Sequence, residues 1–347
     1  MEDGEKEALE LWRRFRDLSI DKYKQIYARL NVRFDVYSGE SMFEEGMKKE
    51  MKFLEEKGIL KESQGALVVD LKEEGLGVVV VKKSDGTTLY ITRDIAAATF
   101  RKAEYGFDHM FYVVASQQDL HFKQLFRTLD LAGYNWASDC THIGFGVVAG
   151  MSTRKGNVVF LEEILDEAKR TMMEVMEKNE EKFKQIENPQ YVADVVGLSA
   201  VLIQDMSARR IKDYDFNWDR MTSFEGDTGP YLQFAHSRVC SIERKSAIVL
   251  TGKEDLSLIK EPSGHQLAMK IASFPDVLVT ARQTLEPGVI ATYAMELSHS
   301  ISGALEAMWV INQPPEIAAA RLRLYWAARV VLGSCMKIVG LVPLERM

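Results

Sequence analysis

The stretch HMFYVVASQQDLHFKQLFRTLDLAG, residues 109–133, decides the fold class. Its first seven residues form an apolar run typical of a strand buried in a parallel sheet. Apolar side chains then recur at helical spacing, and the helix is expected to end at Gly133, because glycine readily adopts the left-handed backbone of a helix terminus. THIGFGVV at 141–148 follows as a second strand. This order of strand, helix and strand indicates a parallel βαβ unit.

Upstream of this stretch the sequence predicts more β structure. Short β-branched runs occur at 66–70, 77–83 and 88–92, and a Ser-Asp-Gly hairpin turn lies at 84–86. The next segment, RDIAAATFRKAEYG, is expected to be a helix that ends at Gly106. The middle of the chain therefore alternates strands and helices, which predicts a doubly wound α/β sheet.

The two flanks are predicted to be helical. Residues 5–60 place apolar side chains at helical spacing, and after residue 157 strand signals nearly vanish. Helices are expected to begin near Pro230 and after Pro287, and Pro275 is expected to break a helix at 263–284. The last third of the chain is therefore predicted to be a helix bundle, and the fold class to be α/β plus all-α.

Composition excludes several classes of protein. The 347 residues are 46% hydrophobic and 27% charged, as in ordinary globular domains, with a formal net charge of −7. No apolar run approaches the ~18 residues that span a bilayer. The three cysteines are widely separated and no pair of histidines has HExxH spacing, so no metal site is predicted and a reducing, cytoplasmic location fits best.

Polar residues follow two of the predicted strands. Tyr90 lies on the strand at 88–92 with Asp94 just beyond it, and Gln118 follows the strand at 109–115. A phenol, a carboxylate and an amide oxygen suit a guanidinium ligand, which presents only donors. Equally simple alternatives exist: an ordinary strand tyrosine, an N-cap aspartate, and a capping box of Ser116 with the aspartate three residues later. Spacing alone favours these alternatives.

A basic loop and an aromatic helix are further candidates. GMSTRKGN at 150–157 is glycine-flanked, basic and hydroxyl-bearing, which suits phosphate oxygens, although a solvated turn explains it equally well. FEGDTGPYLQFAHSRVCSIER at 224–244 mixes aromatic and basic residues, as nucleic-acid-binding segments do. A bundle helix with one solvent-exposed face explains that segment as well. Without further support from the sequence, this simpler interpretation is preferred. No Walker loop occurs in the sequence.

Five ordered blocks together resemble arginyl-tRNA synthetase, a class I aminoacyl-tRNA synthetase, most like the eukaryotic cytosolic branch. The blocks are SIDKYKQIYARLNVRFDVYSGES (19–41), DGTTLYITRDIAAATFRKAEYGFDHMFYVV (85–114), ASQQDLHFKQLFRTLDLAG (115–133), THIGFGVVAGMSTRKGNVVFLEEILDEA (141–168) and EGDTGPYLQFAHSRVCSI (225–242). The closing LRLYWAARVVLGSCMKIVGLVPLERM (322–347) resembles that family's C-terminus.

The resemblance implies a domain organisation. Residues 1–220 correspond to the C-terminal part of the catalytic domain, and residues 221–347 to a helical anticodon-binding domain. Within the first part, 1–86 is a connective region, 87–157 is the second half of a Rossmann-like fold, and 158–220 is a helical region that contacts the tRNA stem.

The resemblance also implies site residues. Tyr90, Asp94 and Gln118 align with the residues that recognise the arginine side chain. Residues 151–155 align with the KMSKS loop, so Arg154 and Lys155 are expected to be catalytic. ATP-binding residues are expected to be His121, Gly150, Met151, Ser152 and Thr153. The tRNA-binding residues are expected to be Asp227, Thr228, Gly229, Pro230, Tyr231, Gln233, Phe234, His236, Ser237 and Arg238.

Gly150 and Thr153 stand where the two lysines of the KMSKS loop occur in the family. The positive charge is therefore expected to come from the shifted positions of Arg154 and Lys155. The implied reaction has two steps: the arginine carboxylate attacks the α-phosphorus of ATP, and a terminal ribose hydroxyl of tRNA(Arg) then accepts the aminoacyl group. The implied partners are ATP with Mg²⁺, L-arginine and tRNA(Arg), with no tightly bound cofactor and no membrane. In the family, arginine activation itself depends on bound tRNA.

The family's HIGH motif is not found in the sequence. His142-Ile143-Gly144 is followed by Phe145 and lies in a predicted strand, so its likeness to HIGH is accidental. We therefore expect a C-terminal portion of a synthetase, lacking the N-terminal domain and the HIGH half of the catalytic fold, and inactive without that missing half. The alternative is a non-catalytic tRNA-binding or interaction module. Half of such a sheet also leaves an edge and an apolar face uncovered, which predicts poor solubility.

Overall fold

The computed structural model describes residues 5–149, 160–221 and 223–347. They fall into two compact units, one made of residues up to Arg33 and from Val148 onwards, the other of Phe34–Val147. The α-helices are α1 (Lys6–Arg29), α2 (Glu44–Glu56), α3 (Tyr90–Tyr105), α4 (Asp119–Leu131), α5 (Leu161–Glu177), α6 (Glu180–Phe183), α7 (Pro189–Met206), α8 (Trp218–Met221), α9 (Gly229–Ser246), α10 (Pro262–Ala272), α11 (Phe274–Thr284), α12 (Pro287–Ala307) and α13 (Pro315–Ile338). The strands are β1 (Lys61–Ser63), β2 (Ala66–Leu71), β3 (Gly77–Lys82), β4 (Met110–Ala115), β5 (Cys140–Phe145), β6 (Val148–Ala149) and β7 (Tyr214–Asp215).

The unit Phe34–Val147 contains the predicted βαβ element. Strands β4 and β5 are parallel, with Met110 opposite Cys140 and Ala115 opposite Phe145, and α4 connects them. Strands β1, β2 and β3 form a separate antiparallel sheet. The inward side chains of β2 and β3 share one core with α3 and α4, since a sheet face and a helix stripe each need an apolar partner.

The predicted strand at 88–92 is wrong. The hairpin turn exists: Gly86 has φ 87°, and the Lys83 amide donates to the Thr87 carbonyl at 2.9 Å. Its returning arm, however, is a single bridge between Lys82 and Thr88. Helix α3 begins at Tyr90, because Ile91, Ile95 and Ala98 bury one helical stripe in the core. Within the described residues the parallel strands therefore form two separate pairs, β4–β5 and β6–β7, rather than one longer doubly wound sheet.

The predicted helix ends are confirmed. Gly106 has φ 57° directly after α3, and Gly133 has φ 87° two residues after α4. A residue with a Cβ is strained in this left-handed region, so glycine is the natural residue at both ends.

One face of the parallel pair carries exposed apolar side chains. Phe111 is 48% exposed, Val113 64% and Phe145 41%, while Tyr112 and Val114, which alternate with the first two along β4, pack against the core. Among the described strands, β4 pairs with β5 alone. Parallel strands are normally covered on both faces, so this face is unusual for a parallel sheet.

The other unit is mostly helical. Helices α5 and α7 pack closely at Gly197, where an added Cβ would lie 2.9 Å from the backbone carbon of Ala168. Helices α9 to α13 surround a core that contains Leu232 and Tyr325, both with no exposed surface, which confirms the predicted bundle. Pro275 lies where α10 gives way to α11, as predicted. No helix in the described ranges has both the length and the apolar character needed to cross a membrane.

Candidate functional site

A carboxylate and an imidazole meet between α3 and α4. The Nε2 atom of His121 lies 2.6 Å from Oδ2 of Asp94, and the two side chains are 23% and 39% exposed. His121 lies in the first turn of α4 and Asp94 in the second turn of α3. With Nε2 as the donor, the imidazole fixes one carboxylate oxygen at a solvent-accessible position. The sequence predicted both residues as site residues but not their hydrogen bond.

The simple capping roles proposed for this region do not occur. Asp94 is in the second turn of its helix, whose N-cap is Leu89, so it is not an N-cap. Gln118 occupies the N-cap position of α4, and no side-chain capping hydrogen bond forms there. Asp119 instead binds Lys123, with Nζ 2.6 Å from Oδ2, and faces Nδ1 of His142 at 3.5 Å. The Lys123 interaction, followed by that of His142, lowers the pKa of Asp119.

Tyr90 and Gln118 lie at the starts of their helices. Tyr90 is the first residue of α3 and is 71% exposed, and Gln118 is exposed immediately before α4. Helix α4 follows β4 directly, as ligand-binding helices do at the carboxyl ends of parallel strands. The phenol oxygen, the amide oxygen and the Asp94 carboxylate are all hydrogen-bond acceptors, the partners that a guanidinium group needs.

His142 has a structural role. Its Nε2 donates to the Val114 carbonyl at 2.9 Å, its ring stacks on Phe122 at 4.6 Å, and its side chain is only 7% exposed. It lies within β5, opposite Tyr112, rather than at a turn from strand to helix. The prediction that this segment is a strand, and its likeness to HIGH accidental, agrees with this position.

The predicted phosphate loop lies outside the described residues. Gly150, Met151, Ser152, Thr153, Arg154 and Lys155 all belong to this segment. It follows β6, which pairs in parallel with β7, with Val148 opposite Tyr214.

Helix α9 begins with a well-formed cap. The Thr228 hydroxyl accepts a hydrogen bond from the Tyr231 amide at 3.3 Å and donates to the Ser223 carbonyl at 2.6 Å. Pro230 occupies the first turn, as predicted, where its missing amide proton costs nothing. Gly229 is buried against α7: an added Cβ would lie 2.0 Å from the Ser199 carbonyl oxygen.

Several residues predicted to bind tRNA are buried in α9. Gln233 has no exposed surface; its amide nitrogen donates to Ser199 Oγ and to the Val342 carbonyl, both at 2.8 Å, and its oxygen accepts from the Leu344 amide at 2.9 Å. His236 is 4% exposed and Nδ1 lies 2.8 Å from the Leu344 carbonyl. Thr228, Gly229, Pro230 and Ser237 are buried as well. Gln233 and His236 thus offer little surface to a ligand in this structure, and their hydrogen bonds hold the C-terminal segment and α7 against α9.

The exposed candidates lie beside a cluster that the sequence did not reveal. Nε2 of His299 is 2.7 Å from Asp227 Oδ1, and its Nδ1 is 3.2 Å from the Tyr231 hydroxyl. That hydroxyl also lies 3.1 Å from Ser302 Oγ. Phe234 is 43% exposed, and Arg238 is exposed one turn further along α9. His299 and Ser302 are three residues apart on α12. This spacing places both on one face of the helix, but it does not indicate that this face meets α9.

The cysteines and carboxylates give no sign of metal chemistry in the described ranges, where no group of three potential ligands comes together. Cys140, Cys240 and Cys335 are free and buried. Burial raises the pKa of Cys140 to about 11 and that of Cys335 to about 12. These thiols therefore stay protonated and behave as small apolar side chains.

Two family models match the chain in succession. Residues 1–218 match the catalytic domain of class I (R) tRNA synthetases, and residues 232–347 match the DALR anticodon binding domain. The chain belongs to the class I arginyl-tRNA synthetase family. This confirms the predicted fold class, a class I catalytic portion followed by a helical anticodon-binding domain. The exact boundary at 220/221 stays a prediction.

Relatives in this family match the whole chain. It is 57% identical to a probable cytoplasmic arginine–tRNA ligase of Dictyostelium discoideum over 348 residues, covering 59% of that protein. It is 53% identical to the cytoplasmic arginine–tRNA ligase of Saccharomyces cerevisiae and 49% identical to the mitochondrial one, covering 58% and 55% of them. The chain therefore spans less than two thirds of the length of these synthetases.

Solved structures in the family show the same fold. The arginyl-tRNA synthetase of Plasmodium falciparum matches all of this chain with a TM-score of 0.85 at 23% identity, and the match covers 60% of that structure. The Thermus thermophilus enzyme matches 93% of the chain with a TM-score of 0.82 at 25% identity, and the match covers 62% of it.

Proposed function

We propose that the chain contributes arginine recognition and tRNA binding to an arginine–tRNA ligase. The overall reaction converts ATP, L-arginine and tRNA(Arg) to arginyl-tRNA, AMP and pyrophosphate. The observation that carries this proposal is the Asp94 carboxylate, which His121 holds at the N-terminal ends of two helices in a chain of this family. The ligase is preferred over a non-catalytic binding module because the chain contains the three residues that the resemblance assigns to recognition of the arginine side chain, Tyr90, Asp94 and Gln118.

Asp94 is the proposed anchor for the substrate guanidinium. A carboxylate accepts charge-assisted hydrogen bonds, which are shorter and stronger than neutral ones. His121 engages Oδ2, so its imidazole fixes the carboxylate's orientation. Tyr90 and Gln118 are the proposed neutral acceptors. A substrate lysine would present a single ammonium in place of the planar five-donor group, so this set of acceptors favours arginine.

The phosphates are assigned to residues 150–155. Arg154 and Lys155 are proposed to supply positive charge to the ATP phosphates, and Mg²⁺ arrives with ATP as part of the substrate. Catalysis then comes from positioning and charge stabilisation on the phosphates rather than from covalent chemistry by the protein.

The tRNA is proposed to contact the exposed residues of α9 and the cluster beside it. Phe234 and Tyr231 offer aromatic rings, and Arg238 offers a cation for phosphate. The buried residues of α9 act on this surface indirectly, by holding the helix in place. The proposed location is the cytoplasm, because the relatives at 57% and 53% identity are named cytoplasmic, although a mitochondrial relative matches at 49%.

A trans-complementation assay tests the ligase proposal. ATP–pyrophosphate exchange is measured with the purified chain, arginine and tRNA, with and without the portion of the Dictyostelium relative that lies outside the match. No HIGH tetrapeptide occurs in the 347 residues, so we expect no exchange by the chain alone and measurable exchange once that portion is added. Robust exchange by the chain alone would contradict the predicted inactivity.

An aspartate pair provides the matched control. Asp94→Asn keeps the size of the side chain but removes the charge, and should abolish exchange in the complemented assay. Asp108→Asn makes the same change at an exposed loop position and should leave exchange unchanged. Equal exchange activity in both variants would show that Asp94 does not take part in arginine recognition.

The proposed tRNA binding has a separate test. The affinity for tRNA should fall steeply as the salt concentration rises, because phosphate contacts release counterions.

A further inference from the structure

A pocket of about 360 Å³ lies between α7, β7, α8 and the start of α9. This volume is within the range of roughly 300–1,000 Å³ that is usual for small-molecule sites. Of its lining, only Asp227 and Thr228 belong to the sites described above. The remainder, which includes Gln204, Lys212 and Arg220, has no role in the proposed reaction.

Two cations in this pocket have no charged partner among the described residues. Lys212 and Arg220 both line it, and within the described part of the chain neither forms an ion pair. One neighbouring carboxylate is already engaged: Asp227 accepts from His299 at 2.7 Å. Asp215 also lines the pocket, so the wall offers both positive charge and an acceptor. A ligand that fits must therefore combine an anionic group with hydrogen-bond donors.

Gln204 supplies the second, independent observation. Its Oε1 atom is buried and has no hydrogen-bond partner among the described residues, although the side chain lines the pocket. A buried acceptor without a donor costs free energy in the unliganded protein. A ligand O–H or N–H placed in the pocket removes that cost, so the lone acceptor indicates a ligand rather than a structural role.

We propose that this pocket binds one ribonucleotide unit of a tRNA. Lys212 and Arg220 hold its phosphate, and a ribose hydroxyl or base N–H donates to Gln204 Oε1. Ala200, Ala208 and Met221 provide the apolar part of the wall for the base. The choice of tRNA as the source rests on the proposed function, since the pocket adjoins the beginning of α9. The need for a phosphate and a donor rests on the pocket alone.

Gln204→Leu is the decisive variant, because it separates a ligand contact from a structural contact. The substitution keeps the approximate size of the side chain and removes the unpaired acceptor. We expect a melting temperature equal to or above that of the wild-type chain, together with an approximately tenfold loss of tRNA affinity. A lower melting temperature with unchanged tRNA affinity would overturn the proposal.

A charge-matched pair tests the phosphate contact. Lys212→Gln with Arg220→Gln should reduce the slope of log affinity against log salt by about 2, since each lost phosphate contact reduces it by about 1. Lys253→Gln with Arg282→Gln changes the net charge equally at exposed positions outside the pocket and should change the slope less. Equal effects in the two pairs would show a non-specific charge effect and overturn the proposal.

Titration with UMP separates this proposal from the proposed function. Binding of UMP that Gln204→Leu weakens supports the pocket even if the chain fails to bind tRNA, in which case the ligand is a free nucleotide and the tRNA-binding function fails. A wild-type chain that binds tRNA with no effect of any pocket variant keeps the proposed function and overturns the pocket. Loss of both UMP and tRNA binding in the wild-type chain overturns both.

Discussion

A single methyl group added at Gly229 should strongly lower the stability of the folded chain. Gly229 is the first residue of α9 and lies against the backbone of α7. A Cβ there would lie 2.0 Å from the Ser199 carbonyl oxygen, 2.1 Å from its carbon and 2.6 Å from the Ala200 nitrogen. All three are backbone atoms of a helix, so no side-chain rotation relieves the clash.

The geometry gives the size of the effect. Ordinary contact begins at 3.4 Å, so the two helices must separate by about 1.4 Å at Gly229 to accept the methyl group. The hydrogen bond from Gln233 to Ser199, now 2.8 Å, spans the same two helices and would break. Overpacking costs about 1–3 kcal/mol and an unpaired buried polar group about 1–3 kcal/mol. Gly229→Ala should therefore lower the free energy of unfolding by about 2–6 kcal/mol, the sum of these two costs.

Gly303→Ala is the matched control. Gly303 lies inside α12, and an added Cβ would meet nothing within 4 Å. Alanine favours the helix over glycine by about 0.5–1 kcal/mol, so this variant should be slightly stabilised. Urea denaturation followed by circular dichroism measures both variants. A Gly229→Ala chain within about 0.5 kcal/mol of wild type would show that the close approach of α7 and α9 is not a constraint.

Three further outcomes are expected. Gln233→Leu removes three buried hydrogen bonds and should destabilise the chain by about 2–4 kcal/mol, with faster hydrogen exchange at the Leu344 amide. Unchanged exchange at Leu344 would show that the Gln233 side chain does not hold the C-terminal segment. Burial lowers the pKa of His236, so the unfolded chain binds the proton more tightly than the folded chain does. The stability that depends on this residue is present above about pH 6.5 and falls as the pH decreases towards the folded-state pKa. When unfolding is measured between pH 5 and 7.5, this dependence of stability on pH should be weaker in His236→Phe. The purified chain should associate through the exposed apolar face of β4, and the double variant Phe111→Thr with Val113→Thr should lower the average particle mass measured by light scattering. A monodisperse, cooperatively melting wild-type monomer would contradict this expectation.

Local patterns predicted the elements with strong and unambiguous signals. The apolar run of β4, the amphipathic α4 and the glycines that end α3 and α4 all depend on residues within one element, so they could be read in order along the chain. Short β-branched runs are different, because the same residues suit a strand or a buried helix. At 88–92 the helical spacing of Ile91 and Ile95 prevailed, since it places both in the core.

Burial on α9 could not be read from the sequence. Gln233 and His236 look like wet-face residues in an aromatic, basic segment. Their hydrogen-bond partners are the backbone groups of Val342 and Leu344, more than a hundred residues further along the chain. Only the packed fold brings that segment over the helix, because a polar side chain is buried where its hydrogen bonds are satisfied.

The sequence by itself determined the family, the parallel βαβ unit, the helix bundle and the identity of the candidate arginine-site residues. The βαβ unit and the bundle follow from residue types and spacing, which act over a few neighbours, whereas the family and the arginine-site candidates follow from the resemblance of ordered sequence blocks. The tertiary structure alone decided that Asp94 meets His121, that Gly229 must lack a side chain, and that the Gln204 amide oxygen is buried beside a pocket without a partner among the described residues. Each of these depends on the distance between two elements, and such distances are set by packing of the whole core rather than by any local pattern.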